Sequence, residues 1–394
     1  MKKKIELLSP AGDLERLKVT LLYGADAVYI GGQDYSLRAN ANNFSIEEIK
    51  EACNFAHALN KKVYLTLNIV FHNEDISGVD KYIQEVAHAG IDAFIVSDPF
   101  IIKYIKTNFP KVEVHLSTQN STTNIEAVNF FKQEGVDRVV LARELSICEI
   151  KDIIDKTGID VEVFIHGAMC TFYSGRCTLS NYLTNRDSNR GGCSQVCRFA
   201  FTMENNDQKF TMATKDLNAS RYISTLMDIG VTSLKVEGRM RSLYYLATVI
   251  GCYRRIIDAH YNHQLTEEKL RKEEKILSRV ANRETSAHYL YHEADFTDQY
   301  YTGRQEISNQ DFLGLVTSYD PKEKIVTLVE RNYFEIGDEV ELFTPNGEVY
   351  SFTIQDMYDE NMNLITVARH PEEIIKLKVD GDITSYSMLR KKVK

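Results

Sequence analysis

Apolar positions in this chain follow two periods, and the two alternate. Residues 5–8 (Ile-Glu-Leu-Leu) read as a short strand. The turn Ser9-Pro10-Ala11-Gly12-Asp13 follows, with Asp13 placed to cap a helix carrying Leu14, Leu17, Leu21 and Leu22 at helical spacing. Gly24 ends that helix, and residues 26–30 (Asp-Ala-Val-Tyr-Ile) form the next strand, closed by Gly31-Gly32. The unit then recurs. Strand-like runs fall at 62–67, 92–96, 112–116, 137–141, 161–165 and 232–236. Amphipathic helices are predicted near 46–59, 77–89, 98–107, 123–134, 145–155 and 219–229, and a long helix at about 241–261.

Eight strands alternating with helices imply parallel strands joined by right-handed crossovers. The fold class expected is α/β, with the eight units closed into a (β/α)8 barrel of TIM type. A doubly wound open sheet is the alternative, weakened because the first turn has no G-x-G-x-x-G. Barrels of this kind collect functional residues at the C-terminal ends of their strands. Those positions here are polar: Arg38 and Asn42, Asn68, Ser97-Asp98, Gln119-Asn120, Arg143-Glu144, His166, and Glu237-Gly238-Arg239. Each alone is an ordinary loop residue; their convergence on one face is the signal.

Beyond 262 the pattern changes. Residues 263–307 are charged and then aromatic, and are expected to be a linker strapped across the barrel, with a polar helix over 266–280. From 308 to 394 apolar residues keep period two in short runs such as Ile325-Val-Thr-Leu-Val, separated by turns such as Asp320-Pro321 and Asn346-Gly347. That predicts a small antiparallel β-barrel serving recognition or merely stability. The expected domains are therefore 1–262, 263–307 and 308–394, the last ending in a basic tail, Arg390-Lys-Lys-Val-Lys394.

A formal charge of −9 argues against broad, non-specific nucleic-acid binding. Residues 186–241 differ, with nine Lys/Arg against six Asp/Glu, which is either a local basic face or a solvated surface. No run of eighteen apolar residues is present, so no membrane span is expected. The N-terminus, Met-Lys-Lys-Lys followed by four residues and Ser9-Pro10, does not resemble a signal peptide, and a cytoplasmic protein is expected.

Four of the seven cysteines lie between 170 and 197, in a loop leaving strand seven at 167–200: Cys170, Cys177, Cys193 and Cys197. Gly175, Gly191 and Gly192 lie between them and let backbone approach a compact object closely. Clustered thiols of this kind are bridged, oxidised or metal-bound. Two disulfides require an oxidising compartment. Structural zinc favours pairs two to four residues apart, whereas these pairs have six and three intervening residues. An iron–sulfur cluster takes four thiolates at irregular spacing. Cys53, Cys148 and Cys252 sit in helical segments and are expected to be buried.

The cysteine segment resembles the signature of the collagenase-like peptidase family U-32: Glu162-x-Phe164-x-x-Gly167-Ala168-Met169-Cys170, then Gly175-x-Cys177-x-Leu179-Ser180. Similar blocks are Ser9-Pro10-Ala11-Gly12, Gly24-Ala-Asp-Ala-Val-Tyr-Ile-Gly31, Arg38-Ala39 with Asn43-Phe44, Arg190-Gly191-x-Cys193-x-Gln195-x-Cys197-Arg198, and Leu234-Lys-Val-Glu237-Gly-Arg239. The chain departs from the pattern near Ser286-Ala-His288, where Gly-Phe is expected after the serine. The resemblance implies a 4Fe-4S cluster on Cys170, Cys177, Cys193 and Cys197. Its nearest branch carries out oxygen-independent, prephenate-dependent hydroxylation of wobble uridine in tRNA to 5-hydroxyuridine; another branch works in ubiquinone synthesis, and some members act in pairs. The partners implied are tRNA, a small carboxylate metabolite such as prephenate, and a protein partner or paralogue.

The family name implies proteolysis instead. Against it, the chain has no His-Glu-x-x-His and no Gly-x-Ser-x-Gly, although His166 lies four residues before Cys170 and a Cys–His pair stays open. For hydroxylation the catalytic candidates are His166, Glu237 and Arg239, each following a strand at the active face. Arg38, Arg176 and Arg198 are the substrate-binding candidates, since a guanidinium pairs with carboxylate or phosphate in two-pronged fashion.

Overall fold

The computed structural model describes residues 4–36, 43–204, 206–280, 283–300 and 311–392. They divide into two compact units: residues 1–21, 25–241 and 283–305 in the first, and 22–24, 242–282 and 306–394 in the second. The expected boundary at 262 thus falls inside the second unit, and the expected linker is shared between the two.

The first unit is the predicted barrel. Its strands are β1 (Glu6–Pro10), β2 (Ala27–Gly31), β3 (Lys62–Leu67), β4 (Ala93–Val96), β5 (Glu113–Leu116), β6 (Arg138–Val140), β7 (Asp160–Gly167) and β8 (Ser233–Val236). Each pairs in parallel with the next, and β8 pairs with both β7 and β1, which closes the ring. The intervening helices start where local chemistry allows. α1 (Leu14–Leu22) is followed by α2 (Ile46–Ala58), whose Ser45 and Glu48 form a reciprocal capping box. α3 (Val79–His88) comes next, and Asp98 then caps α4 (Pro99–Asn108) with proline in its first turn. Asn124 caps α5 (Ile125–Gln133), and Ser146 caps α6 (Ile147–Thr157), which stops at Gly158 in a left-handed conformation. α7 (Ile223–Asp228) precedes β8.

The N-terminal end of the barrel interior is filled by charge. Arg138 donates to Glu6 at 2.6 Å and to Glu162 at 3.2 Å, and Lys235 donates to Glu162 at 2.7 Å. Tyr64 and Ser233 also donate to Glu6, at 2.6 and 2.9 Å. The two cations and two carboxylates balance. The field of Lys235 and Arg138 outweighs burial and holds the Glu162 carboxyl down at about 2.

Residues 285–300 do not merely strap over this unit. Thr285–Ser286 pairs with a short strand, Asp216–Asn218, and that strand pairs antiparallel with the end of β7, Leu217 opposite Gly167 and Asn218 opposite His166.

In the second unit, α8 (Leu243–Tyr261) packs on α9 (Glu267–Val280), fastened by a two-pronged Arg255–Glu273 pair at 2.8 and 2.7 Å. Leu270, Ile276, Leu277 and Val280 are buried, so the helix expected to be polar presents one apolar stripe. The antiparallel sheet contains β9 (Phe312–Asp320), β10 (Ile325–Glu330), β11 (Glu339–Phe343), β12 (Val349–Thr353), β13 (Ile374–Lys378) and β14 (Met388–Lys391). It curls around Leu313, Val326, Leu328, Phe334, Val340 and Leu389 as a half-barrel. Arg390, the first residue of the basic tail, lies buried in β14, its Nε donating to Glu341 at 2.9 Å.

Candidate functional site

The cysteine loop leaves β7 and is tied to the ends of three other barrel strands. Beyond β3, Val70 N–H donates to Asn189 O at 3.0 Å, while Arg190 grips Asp75 and Glu74. Beyond β5, Gln119 O accepts from Arg176 Nε at 2.7 Å. Beyond β6, Glu144 accepts from Ser174 N–H at 2.6 Å, and Arg143 donates to Ala168 O at 2.7 Å while stacking 3.8 Å above the Phe164 ring. The loop is thereby held at the C-terminal mouth.

Within it the four thiols share one electrostatic environment. Burial pushes the Cys170 thiol up; the Phe172 N–H and Arg143 oppose this, and Cys197 and Cys193 add to it. Cys197 is also raised by burial and feels Cys193 and Cys177 in turn. Cys177 Sγ accepts from Leu179 N–H at 3.3 Å. No three of these sulfurs are drawn within 4.8 Å of one another; among the described residues the one such group of donors is His292, Asp295 and Asp298. A single tetrahedral ion with bonds of about 2.3 Å needs sulfurs about 3.8 Å apart. The thiols are near one another yet wider than that.

The barrel interior beneath the loop is polar. Tyr29 OH lies 2.9 Å from Glu237 Oε2 and 3.0 Å from Val236 O. Arg239 is buried and donates to Ser36 Oγ at 3.0 Å. Its guanidinium fills the space a side chain at Gly31 would need, and the Glu237 carbonyl does the same at Gly167, whose φ is +108°. These close approaches explain why the Gly31 and Gly167 positions are glycine. His166 is wholly buried between Asp216 and Arg241, and desolvation lowers its pKa to about 4, so the ring is neutral at pH 7.

The structure thus brings Glu237, Arg239, His166 and the four cysteines to one end of the barrel. Arg198 lies there also, half-buried in the loop, while Arg176 is exposed on the loop's outer side and engaged with Gln119. Arg38 and Asn42 lie outside the described residues. Cys53 and Cys252 are buried as expected, but Cys148 is exposed because it faces outward on the first turn of α6. Sequence reasoning missed Tyr29, Asp216, Arg241 and Arg283. Tyr29 was legible as the one hydroxyl in an otherwise apolar strand; Asp216 and Arg283 are brought together only by the pairing of short strands that carry no periodic signal.

Comparison with known proteins agrees with this arrangement. Residues 12–300 match Peptidase family U32, and residues 308–390 match the Peptidase family U32 C-terminal domain. The chain is 45% identical to "tRNA hydroxylation protein P1" of Bacillus subtilis, over 99% of this chain and 95% of that protein. It is 37% identical to "23S rRNA 5-hydroxycytidine C2501 synthase" of Escherichia coli, over 65% of this chain and 40% of that protein. It is 33% identical to "Collagenase" of Porphyromonas gingivalis, over 89% of each. A four-cysteine loop at the mouth of a closed (β/α)8 barrel, followed by the C-terminal half-barrel, accompanies matches over nearly the whole chain, and the protein belongs to peptidase family U32.

Proposed function

We propose that this protein hydroxylates tRNA, converting wobble uridine to 5-hydroxyuridine in an oxygen-independent, prephenate-dependent reaction, with a 4Fe-4S cluster on Cys170, Cys177, Cys193 and Cys197. The observation that carries the reading is the near-full-length similarity to a protein named for tRNA hydroxylation, joined to an all-thiol donor set held over a polar barrel mouth. The relative named for 23S rRNA hydroxycytidine synthesis supports RNA hydroxylation more broadly.

The donor set fits such a cluster on its own chemistry. Four thiols in one electrostatic field, spaced wider than one ion requires and contacted by Phe172 and Leu179 N–H groups, suit a polynuclear centre whose sulfurs accept hydrogen bonds. Bound there, it would supply one-electron exchange or Lewis acidity. The chain's own residues do the rest. Tyr29 orients the Glu237 carboxylate, the proton acceptor of the site. Arg239 is fixed by Ser36 and offers a permanent positive charge to an anionic group. His166 is held neutral, so it can donate and accept hydrogen bonds without bringing charge into the buried site.

The rim suits an unpaired RNA loop. Tyr182, Tyr291 and Phe296 stand 85%, 71% and 70% exposed, and splayed bases stack on such rings. No helix among the described residues is long and apolar enough to cross a membrane. A tRNA substrate implies the cytoplasm.

Proteolysis is the second reading, favoured by the collagenase-named relative. The chemistry opposes it: burial raises the Cys170 thiol, whereas a nucleophilic cysteine needs a lowered one, and the charges felt by His166 are Asp216 and Arg241. Nucleoside mass spectrometry of bulk tRNA from a strain lacking this protein and any paralogue decides between them. The expected result is loss of 5-hydroxyuridine derivatives, restored by wild type and not by Cys193→Ser. Unchanged tRNA overturns the proposal.

A further inference from the structure

One turn of the cysteine loop is directed outward. The short helix Leu179–Thr184 lies in the chain between Cys177 and Cys193. Its inner side is fastened to the segment that follows Cys193. Ser180 is buried and its Oγ accepts from Ser194 N–H at 3.2 Å, and the Thr184 and Ser194 hydroxyls lie 2.8 Å apart. Its outer side is apolar and exposed: Tyr182 keeps 85% and Leu183 54% of their surface. The Tyr182 ring and hydroxyl make no ring contact or hydrogen bond among the described residues. Asn185 ends the helix in a left-handed conformation, and Arg186 N–H donates back to Ser180 O at 3.4 Å, so Arg186 follows directly on the exposed turn. Its Cβ lies 3.2 Å from where a side chain at Gly192 would begin, which places it next to Cys193, the exposed thiol of the four.

Charge singles out the same turn. From Cys170 to Arg198 the chain carries four arginines and one acid, Asp187. Arg176 donates to Gln119 O, and Arg190 grips Asp75 and Glu74. Arg198 is half-buried. Arg186 is exposed, and its guanidinium makes no hydrogen bond or ion pair among the described residues. Asp187 Oδ1 is taken by the Asn189 N–H at 2.9 Å. An exposed ring followed four residues later by an uncommitted guanidinium offers the two groups that hold a single-stranded nucleotide. These are a flat face for the base and a positive charge for the phosphate. Paired RNA keeps its base faces in the stack, so only an unpaired nucleotide can use both.

We infer that Tyr182 and Arg186 form a clamp for one unpaired RNA nucleotide, the ring stacking on its base and the guanidinium pairing with its phosphate. The inference rests on the reading of RNA as the substrate. It narrows a broad aromatic rim to one turn between two of the thiols, and it adds Arg186, which no sequence pattern had singled out.

The test is fluorescence anisotropy of a labelled anticodon stem-loop RNA titrated with the full-length, anaerobically purified protein, with a fully paired RNA of the same length as control. Wild type is expected to prefer the stem-loop. Tyr182→Ala should weaken its binding about tenfold, while Tyr182→Phe, which keeps the ring, should stay within about twofold of wild type. Arg186→Gln should weaken binding several-fold and lower the salt dependence by about one released counterion. Both side chains are exposed and unpartnered, so all three variants should keep the wild-type melting temperature and iron content, which separates lost binding from lost folding. Several results overturn the inference: no preference for the unpaired loop, unchanged affinity in Tyr182→Ala, or equal losses in Tyr182→Phe and Tyr182→Ala. Intact RNA affinity with an altered sedimentation coefficient in Tyr182→Ala would also overturn it, by making this turn a protein contact. Unaltered tRNA in the deletion strain, with RNA affinity still lost in Tyr182→Ala, would sink the hydroxylation reading and uphold the clamp.

Discussion

The two ends of one barrel treat charge in opposite ways. At the N-terminal end, Arg138 and Lys235 face Glu6 and Glu162, with Tyr64 and Ser233 completing the hydrogen bonds. At the C-terminal end, Arg241 and Arg283 converge on Asp216, and four thiols share one electrostatic environment in the loop above. Both ends hold buried or half-buried ionisable groups. Balance makes the first a structural plug, since removing any partner strands a charge. The second sets four thiols together, and clustered thiols are reactive unless they are bridged or ligated. Burial of polar residues alone therefore does not mark a site; the chemistry of the groups gathered there does.

The largest break in this comparison comes from the thiols. Cys193→Ser should lose most of its iron and all tRNA modification, whereas Cys148→Ser, outside the loop and exposed, should keep both. Iron assay and nucleoside mass spectrometry read this together, and a Cys193→Ser protein with full iron would remove the thiols from the site. Next, Glu162→Gln leaves Lys235 and Arg138 with one carboxylate between them, and should lower stability by about 3–5 kcal/mol. Urea unfolding measures it; a loss under about 1 kcal/mol would mean that the plug is not held by its charges.

Acid should open the two ends at different pH. The His166 ring titrates near 4 when folded and about 6.5 when unfolded, so the unfolded chain binds the extra proton between these values. Stability is thus fully present above about pH 6.5 and falls towards pH 4; His115 and His288, also lowered by burial, act in the same direction. Glu162, at about 2 folded against about 4.3 unfolded, contributes above about pH 4.3 and is lost as pH falls towards 2. Denaturation midpoints across this range should show both phases, and His166→Asn should shrink only the first. The smallest effect on stability is expected from Tyr29→Phe, about 1 kcal/mol, because one hydrogen bond is lost. Its kcat should nevertheless drop about tenfold with KM little changed, as a residue positioning Glu237 requires. A change in KM alone would place Tyr29 in substrate binding instead.

Much of this was legible in residue order. Each of the eight barrel strands begins and ends within about two residues of its predicted run, because a parallel strand covered on both faces is mostly apolar even where a paired charge such as Glu6, Arg138, Glu162 or Lys235 points into the barrel. The cysteine loop was legible from spacing and glycines alone. The second unit was less so: α9 looked polar because nine of its fourteen residues are charged, yet its few apolar residues fall on one stripe. The strands Asp216–Asn218 and Thr285–Ser286 were invisible, being too short for any period to register.

By itself, then, the sequence determined the barrel, its direction, and which residue types arrive at its mouth, since periodicity and strand order are local properties that burial enforces. Only the tertiary structure decided which charges cancel. Glu6 meets Arg138 across 132 residues, and Arg283 meets Asp216 across 67. The net charge of a buried site is a sum over such distant neighbours in a medium that screens them poorly, and no local pattern records that sum.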